Sequence, residues 1–274
     1  MSKTANFWIN KCVIITGASS GIGAALAHYL LMQGAKVGLL ARTKNKLEIF
    51  AQQLGSTINN PVDKIAWACV DVNDADAMKF AVQQLEIQLG HCDILIASAG
   101  IYYKTEVMNF NAATENAMIS TNVQGVINSV AAVMPNMIKR QSGHIVAVSS
   151  IAGMIGLPAA AGYSASKAAL IAFFQSLRVD LYPLGVKATI VAPGVVDTPM
   201  ITDEERETSK DLISANQAAQ NICRAIQKNS AVAWFPWQPW LACRLLSWLP
   251  NGLYRRLVLY IPEMEETIQN KKDK

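Results

Sequence analysis

Short apolar runs alternate with longer stretches of helical periodicity along most of this chain. Cys12-Val13-Ile14-Ile15, Lys36 to Ala41, Ile65 to Val70, Asp93 to Ala97, His144 to Val148 and Val186 to Ala192 read as strands. Between them the apolar spacing is helical: Ala24 to Gln33, Lys44 to Leu54, Asp74 to Leu89, a long helix within Asn111 to Met137, Tyr163 to Leu181, and Asn216 to Lys228. The alternation βαβαβαβ over the first four strands predicts an α/β fold built on a doubly wound parallel sheet. Ile201 to Ser214 is polar and charged, which reads as a mobile lid. There is neither an internal repeat nor a linker. Residues 1–230 are therefore assigned to one α/β domain, and 231–274 to an aromatic, apolar extension with a charged tail from Glu263 to Lys274.

Composition narrows the class. With 274 residues, 51% hydrophobic and 16% charged, the chain can bury one sizeable core. The formal charge of +4 is mild and its cations are scattered, so nucleic acid is not an expected partner. Cys12, Cys69, Cys92, Cys223 and Cys243 are far apart, as are His28, His91 and His144, which argues against a metal site or a disulfide framework. No charged-then-apolar leader opens the sequence, and the expected location is cytoplasmic.

Chemistry enters at the strand ends. Thr16-Gly17-Ala18-Ser19-Ser20-Gly21-Ile22-Gly23 follows the first strand and opens a helix, the context in which a glycine pattern reads as a dinucleotide site. Gly17 permits a tight turn, while Gly21 and Gly23 let backbone and helix approach a pyrophosphate at the helix N-terminus. Arg42 stands after the second strand, where an acid would bind a ribose 2′-hydroxyl and an arginine accommodates a 2′-phosphate. That favours NADP(H), with NAD(H) as the alternative. Asp71 ends the third strand, placed to accept a bond from an adenine amino group or to cap the following helix. Small residues Ser98, Ala99 and Gly100 after the fourth strand let a ligand lie over the sheet edge.

Tyr163 and Lys167 are four apart on one helix, which puts phenol and ammonium on one face. A phenol alone keeps its proton to about pH 10, and a neighbouring cation favours the phenolate. Ser150 follows the fifth strand at the carboxyl edge, where open α/β sheets bind ligands. Asn122, a polar amide in an apolar helix, reads on its own as a bonded core residue. Thr198, in Pro193-Gly194-Val195-Val196-Asp197-Thr198-Pro199-Met200, is placed to bond a carboxamide or to stabilise the turn.

Residues 230–262 break the pattern. Trp234, Trp237, Trp240 and Trp248 lie among leucines, and Pro236, Pro239, Pro250 and Arg244 interrupt the run short of the ~20 apolar residues of a spanning helix. Either the stretch packs on the body, joins subunits or walls an apolar pocket, or it contacts a membrane surface peripherally through 234–261.

Together these residues resemble the classical short-chain dehydrogenase/reductase family over roughly 10–230. The glycine loop matches the family's cofactor loop and Asp71-Val72 its adenine contact. Asn122, Ser150, Tyr163 and Lys167 match its catalytic tetrad. Pro193, Gly194, Val196 and Thr198 lie in its nicotinamide-side loop. One departure stands out: Ala97-Ser98-Ala99-Gly100 replaces the usual Asn-Asn-Ala-Gly, at the cost of an amide bond, with the ribose contacts of Ala99 and Gly100 coming from backbone. The resemblance implies a Rossmann-type sheet of about seven strands in the order 3-2-1-4-5-6-7. It also implies a tyrosine that transfers the proton, a serine that stabilises the oxyanion, and a lysine that lowers the tyrosine pKa and binds the nicotinamide ribose. Asn122 would hold a water through its backbone, and the chain would form a homodimer or homotetramer.

The expected function is NADP(H)-dependent hydride transfer between nicotinamide and the ketone or secondary alcohol of a small apolar, lipid- or steroid-like substrate. Ile151 to Ala161 and the lid segment 195–213, with its apolar Val195, Val196, Met200 and Ile201, would line the pocket. The alternatives are an NAD(H)-dependent alcohol dehydrogenase, or a non-catalytic NADP(H) sensor that docks through its tail.

Overall fold

The computed structural model describes residues 7–58, 63–209 and 211–259. The loop at Asn60-Pro61 and the tail from Glu263 to Lys274 lie outside them, as do the last two residues of the 234–261 stretch.

Seven parallel strands form the main sheet: β1 (Cys12–Thr16), β2 (Lys36–Ala41), β3 (Ile65–Cys69), β4 (Ile94–Ala97), β5 (Gly143–Val148), β6 (Val186–Pro193) and, near the C-terminus, β9 (Val232–Phe235). Their order is β3-β2-β1-β4-β5-β6-β9. It reverses between β1 and β4, which opens a crevice at the carboxyl edge. Two short strands, β7 (Val196–Asp197) and β8 (Ile213–Ser214), pair with each other beyond that edge.

Each central strand is buried on both faces, which explains why it reads as a nearly unbroken apolar run. Val13, Ile15, Val37 and Leu39 pack on one face with Leu26, Leu30, Ile222 and Ile226, from α1 (Gly21–Met32) and α8 (Ala215–Gln227). Cys12, Ile14 and Leu40 turn to the other face, against Met78, Val82, Val130, Leu170 and Phe174. These come from α3 (Ala75–Leu89), α5 (Gly125–Lys139) and α6 (Ala161–Leu181), while α2 (Lys44–Gly55) covers the edge beside β3. Capping choices set the helix starts. Asp74, not Asp71, caps α3 by accepting from the Ala77 N–H at 2.9 Å, and Ser214 and Gln217 form a capping box on α8.

Three features differ from the periodicity reading. The long helix expected within Asn111 to Met137 is α4 (Ala112–Ile119) and α5 joined through a π-turn, Ser120–Gln124. Length and apolarity alone would let Ala112–Lys139 cross a membrane, yet half of its apolar 18-residue window is buried in the body. The lid is not wholly irregular. It holds α7 (Asp203–Thr208), tied down by Arg206 to Asp197 at 2.9 Å and to Asp203 at 2.6 Å, and it ends in β8. Finally, the Trp-rich stretch contributes β9 to the main sheet before turning into α9 (Trp237–Leu246) and α10 (Asn251–Leu259).

Candidate active site

At the end of β1 the chain turns through Gly17 at φ 67° and Gly21 at φ 54°, a left-handed backbone that side chains disfavour. Space is equally limiting. A Cβ on Gly17 would lie 2.8 Å from Ala99 Cα, and one on Gly23 would lie 2.3 Å from the Gly17 carbonyl. Strand, loop and helix therefore close on one another backbone to backbone. Ser19 and Ile22 are partly exposed in this loop, and Ser20 is the N-cap residue of α1, its hydroxyl making no capping bond. The first N–H groups of α1 thus face outward without a side-chain cap, as an anion site requires.

The Ser98-Ala99 pair, in which Ser98 replaces the usual asparagine, is held from below. Thr16 Oγ1 accepts from both backbone N–H groups at 3.1 Å, so the loop is anchored without the missing amide. Across the cleft, Thr198 stands over the glycine loop, 3.1 Å from where a Cβ on Gly21 would be. Its hydroxyl accepts from Met200 N–H at 3.4 Å. In the same loop Gly194 donates to the Phe235 carbonyl, Pro193 ends β6, and Val196 is buried in the α1/α8 core.

The far end of the cleft is charged. Arg42 follows β2 with its side chain 68% exposed, and Nη1 lies 3.8 Å from the Asp71 carboxylate. Asp71 Oδ1 also accepts from Asn73 N–H at 2.9 Å, closing a turn. Val72 is buried, and its carbonyl accepts from Asn128 Nδ2 at 2.8 Å. The segment after β3 is thereby clamped to α5. An open glycine cradle at the crevice, roofed by Thr198 and ending at an exposed arginine, fits a nicotinamide dinucleotide.

Beside the cradle, α6 brings up Tyr163 and Lys167. Lys167 is 5% exposed; its Nζ donates to the Val148 carbonyl at 3.0 Å and lies 5.5 Å from the Tyr163 ring centroid. Burial lowers its pKa from 10.5 to about 8. Its own carbonyl accepts from Ser149 Oγ at 2.8 Å. Ser150 is also buried: Oγ accepts from the Ala152 N–H at 3.2 Å and donates to the Pro193 carbonyl over a long 3.4 Å. Its acceptor side is engaged while its proton is loosely held.

Asn122 is fully buried in the π-turn. Its Oδ1 accepts from Ile101 N–H at 2.8 Å, and its Nδ2 donates to the Ile101 carbonyl and to Ser166 Oγ, both at 3.0 Å. Ser166 in turn donates to the Tyr163 carbonyl at 2.7 Å. One amide thus ties the loop after β4 to the helix turn that carries Tyr163. The wider turn fits a recurrent use of π-bulges at functional sites.

The structure brings the candidate site residues together in pairs along this edge: Arg42 reaches Asp71, Gly17 abuts Ala99, Gly21 faces Thr198, Gly100 lies by Asn122 and Lys167, and Ser150 bonds Pro193. Several that touch it were not visible in sequence. Tyr102 packs edge-on to Tyr163, centroids 5.1 Å apart at 71°, and Ser149 and Ser166 brace α6. On the other side α9 packs against the turn Ile151–Gly153, and the Tyr254 hydroxyl of α10 donates to the Gly156 carbonyl. Elsewhere, His144 and Cys12 are spent on packing. His144 bonds Thr189 at 2.8 Å, and burial pushes the Cys12 thiol up to about 12. Among the described residues no group of three His, Cys, Asp or Glu could hold a metal ion.

The short chain dehydrogenase family profile matches residues 11–209. An uncharacterized oxidoreductase of Myxococcus xanthus is 35% identical over 247 residues, 89% of this chain and 94% of that one. Among solved structures, a short chain dehydrogenase/reductase from Burkholderia phymatum in complex with NAD superposes with a TM-score of 0.79 at 21% identity, covering 87% of this chain and 93% of the other. A short chain dehydrogenase from Burkholderia cenocepacia in complex with NADP gives 0.76 at 24% identity, covering 92% and 98%. Those two likenesses concern the fold. With the family profile and the relative in sequence, the chain belongs to the short-chain dehydrogenase/reductase family, oxidoreductases that act on CH–OH and C=O groups with a nicotinamide dinucleotide.

Proposed function

We propose that this enzyme reduces an apolar ketone with NADPH, or runs the reverse oxidation of the secondary alcohol, with Tyr163 as the proton donor and acceptor. The observation that carries the proton chemistry is Lys167, a buried ammonium 5.5 Å from the Tyr163 ring. Bound in the glycine cradle, NADP(H) supplies or accepts the hydride. Tyr163 gives its proton to the carbonyl oxygen in reduction and takes it back in oxidation. Lys167 favours the phenolate and so shifts the phenol toward a working range. Ser150, its lone pair already engaged by Ala152 N–H, turns its proton to the developing oxyanion. Asn122 is a positioning residue that keeps Ile101 and the Tyr163 turn in register through Ser166.

Gly17, Gly21, Gly23 and the N–H groups at Ser19, Ser20 and Ile22 would hold the pyrophosphate. Asp71 and Val72 would flank the adenine, with Ala99 and Gly100 beneath the ribose. Pro193, Gly194, Val196 and Thr198 would line the nicotinamide side. NADP(H) is preferred over NAD(H) because Arg42 is exposed at the end of β2. A substrate of apolar character suits the uncharged turn Ile151 to Ala161 beside Ser150. The exposed alanines Ala165, Ala168, Ala169 and Ala172 of α6 support close pairing of helices in a homodimer or homotetramer.

The test of this reading is a fluorescence titration of NADPH against NADH on the native chain and on Arg42→Ala. Tight NADPH binding that weakens about 10- to 100-fold in the variant, with NADH unchanged, supports it. Equal binding of both, indifferent to Arg42, replaces it with the NAD(H)-dependent alcohol dehydrogenase.

A further inference from the structure

The last two helices turn one kind of surface to the body and another outward. On α9, Trp237, Leu241, Arg244 and Leu245 follow a single stripe that Trp248 continues just past the helix end. Trp237 is 64% exposed and Trp248 68%. Leu245, Leu253 and Leu257 are about half exposed, so the domain leaves much of this apolar stripe uncovered. The opposite side is anchored: Cys243 is buried, and Tyr254 bonds Gly156. Arg244 lies 5.0 Å from the Trp248 ring centroid, and Arg255 and Arg256 are exposed on α10.

Charge decides what such a face can meet. From Leu212 to Pro262 the chain carries Arg224, Lys228, Arg244, Arg255 and Arg256 and not one Asp or Glu. A second copy meeting this face across a two-fold axis would bring arginines against arginines with no carboxylate from this stretch between them. A bilayer rich in anionic lipid offers phosphates for the arginines and a headgroup layer that suits tryptophan.

We propose that α9 and α10 form a docking face for an anionic lipid bilayer, lying in the plane of the headgroups with Trp237, Leu241, Leu245, Trp248, Leu253 and Leu257 turned to the acyl boundary. Their burial against lipid supplies the apolar contribution and the arginines the electrostatic one. Because α9 also abuts Ile151–Gly153 and Tyr254 holds Gly156, docking sets the substrate turn beside the membrane. That consequence, delivery of an apolar substrate from lipid to Tyr163, rests on the function proposed above; the docking does not.

Sedimentation of the full chain with vesicles tests it, using phosphatidylcholine alone and phosphatidylcholine with phosphatidylserine. The chain is expected to pellet with the phosphatidylserine vesicles, to be released by high salt, and to bind phosphatidylcholine weakly. Replacing Arg244, Arg255 and Arg256 by Gln should weaken binding roughly 100-fold. Replacing Trp237 and Trp248 by Ala should abolish it, with NADPH binding retained as the check on folding. In the native chain, brominated acyl chains should quench tryptophan fluorescence, a readout that needs no variant. A chain that stays in the supernatant with phosphatidylserine vesicles and is not quenched overturns the proposal. So does a Trp237/Trp248 variant that changes the oligomer size while the native chain ignores vesicles, since the face would then join copies of the chain. None of these readouts uses turnover, so failure here is separable from failure of the reductase reading.

Discussion

Around Gly17 the chain is held backbone to backbone, whereas around Tyr254 it is held by a side chain on a carbonyl and by the packing of α9. The first region tolerates no added atom: the Gly17 and Gly23 positions face main chain closer than 3 Å from any Cβ. The second rests on the Tyr254–Gly156 bond and on the packing of α9, with an apolar face left in water. The cofactor side is thus built rigid, and the substrate side is assembled from late pieces of the chain. A rigid cradle suits a ligand of fixed shape, and a loosely tied roof suits entry and release.

The largest expected effect lies at Lys167, where the two sides meet. Lys167→Met should lower kcat about 10²- to 10⁴-fold, because Tyr163 loses its cation. Stability should respond in a distinct way. With a folded pKa near 8 against 10.5 ordinarily, the folded state binds fewer protons than the unfolded one between those values. Stability therefore rises with pH across that window, and the burial penalty is fully present below pH 8. Thermal unfolding from pH 7 to 10 should show this rise in the native chain and lose it in Lys167→Met. The native kcat should fall above pH 8 as the ammonium deprotonates.

Next in size is the cradle itself. Gly17→Ala places a methyl 2.8 Å from Ala99 Cα in a left-handed backbone, so NADPH affinity should drop by about 100-fold with a lowered melting temperature. A variant that binds NADPH normally would show that the cradle does not depend on this close backbone approach. Asn122→Ala comes third. It strands the Ile101 N–H and carbonyl, and stability should fall by about 1–3 kcal/mol in denaturant unfolding. Smallest is Tyr254→Phe, which removes only the bond to Gly156. KM for an apolar ketone should rise a few-fold, and NADPH affinity should hold. A change in NADPH affinity instead would tie the roof to the cradle.

How far the molecule is legible in its sequence follows the same division. β1 to β6 and the glycine loop could be read because local periodicity and φ requirements write themselves into neighbouring residues. The spacing of Tyr163 and Lys167 on one helix is local too. Asn122 reads on its own as a bonded amide, and only the family resemblance sets it with the tetrad: the π-turn that aims it at Ile101 and Ser166 leaves no mark on apolar spacing. Tyr102 could not be found, since its contact with Tyr163 joins residues 61 positions apart. The placement of β9, and of Tyr254 on Gly156, depends on contacts across the whole fold. Asp71 shows a subtler limit, because Asp74 lies close by and takes the capping role.

Tyr163→Phe is the most direct test of the central claim, with NADPH binding by fluorescence and reduction of apolar ketones measured on the same preparation. NADPH affinity should be unchanged, and turnover should fall at least about 10³-fold. Retained turnover in the variant would contradict the claim and remove Tyr163 from the proton path.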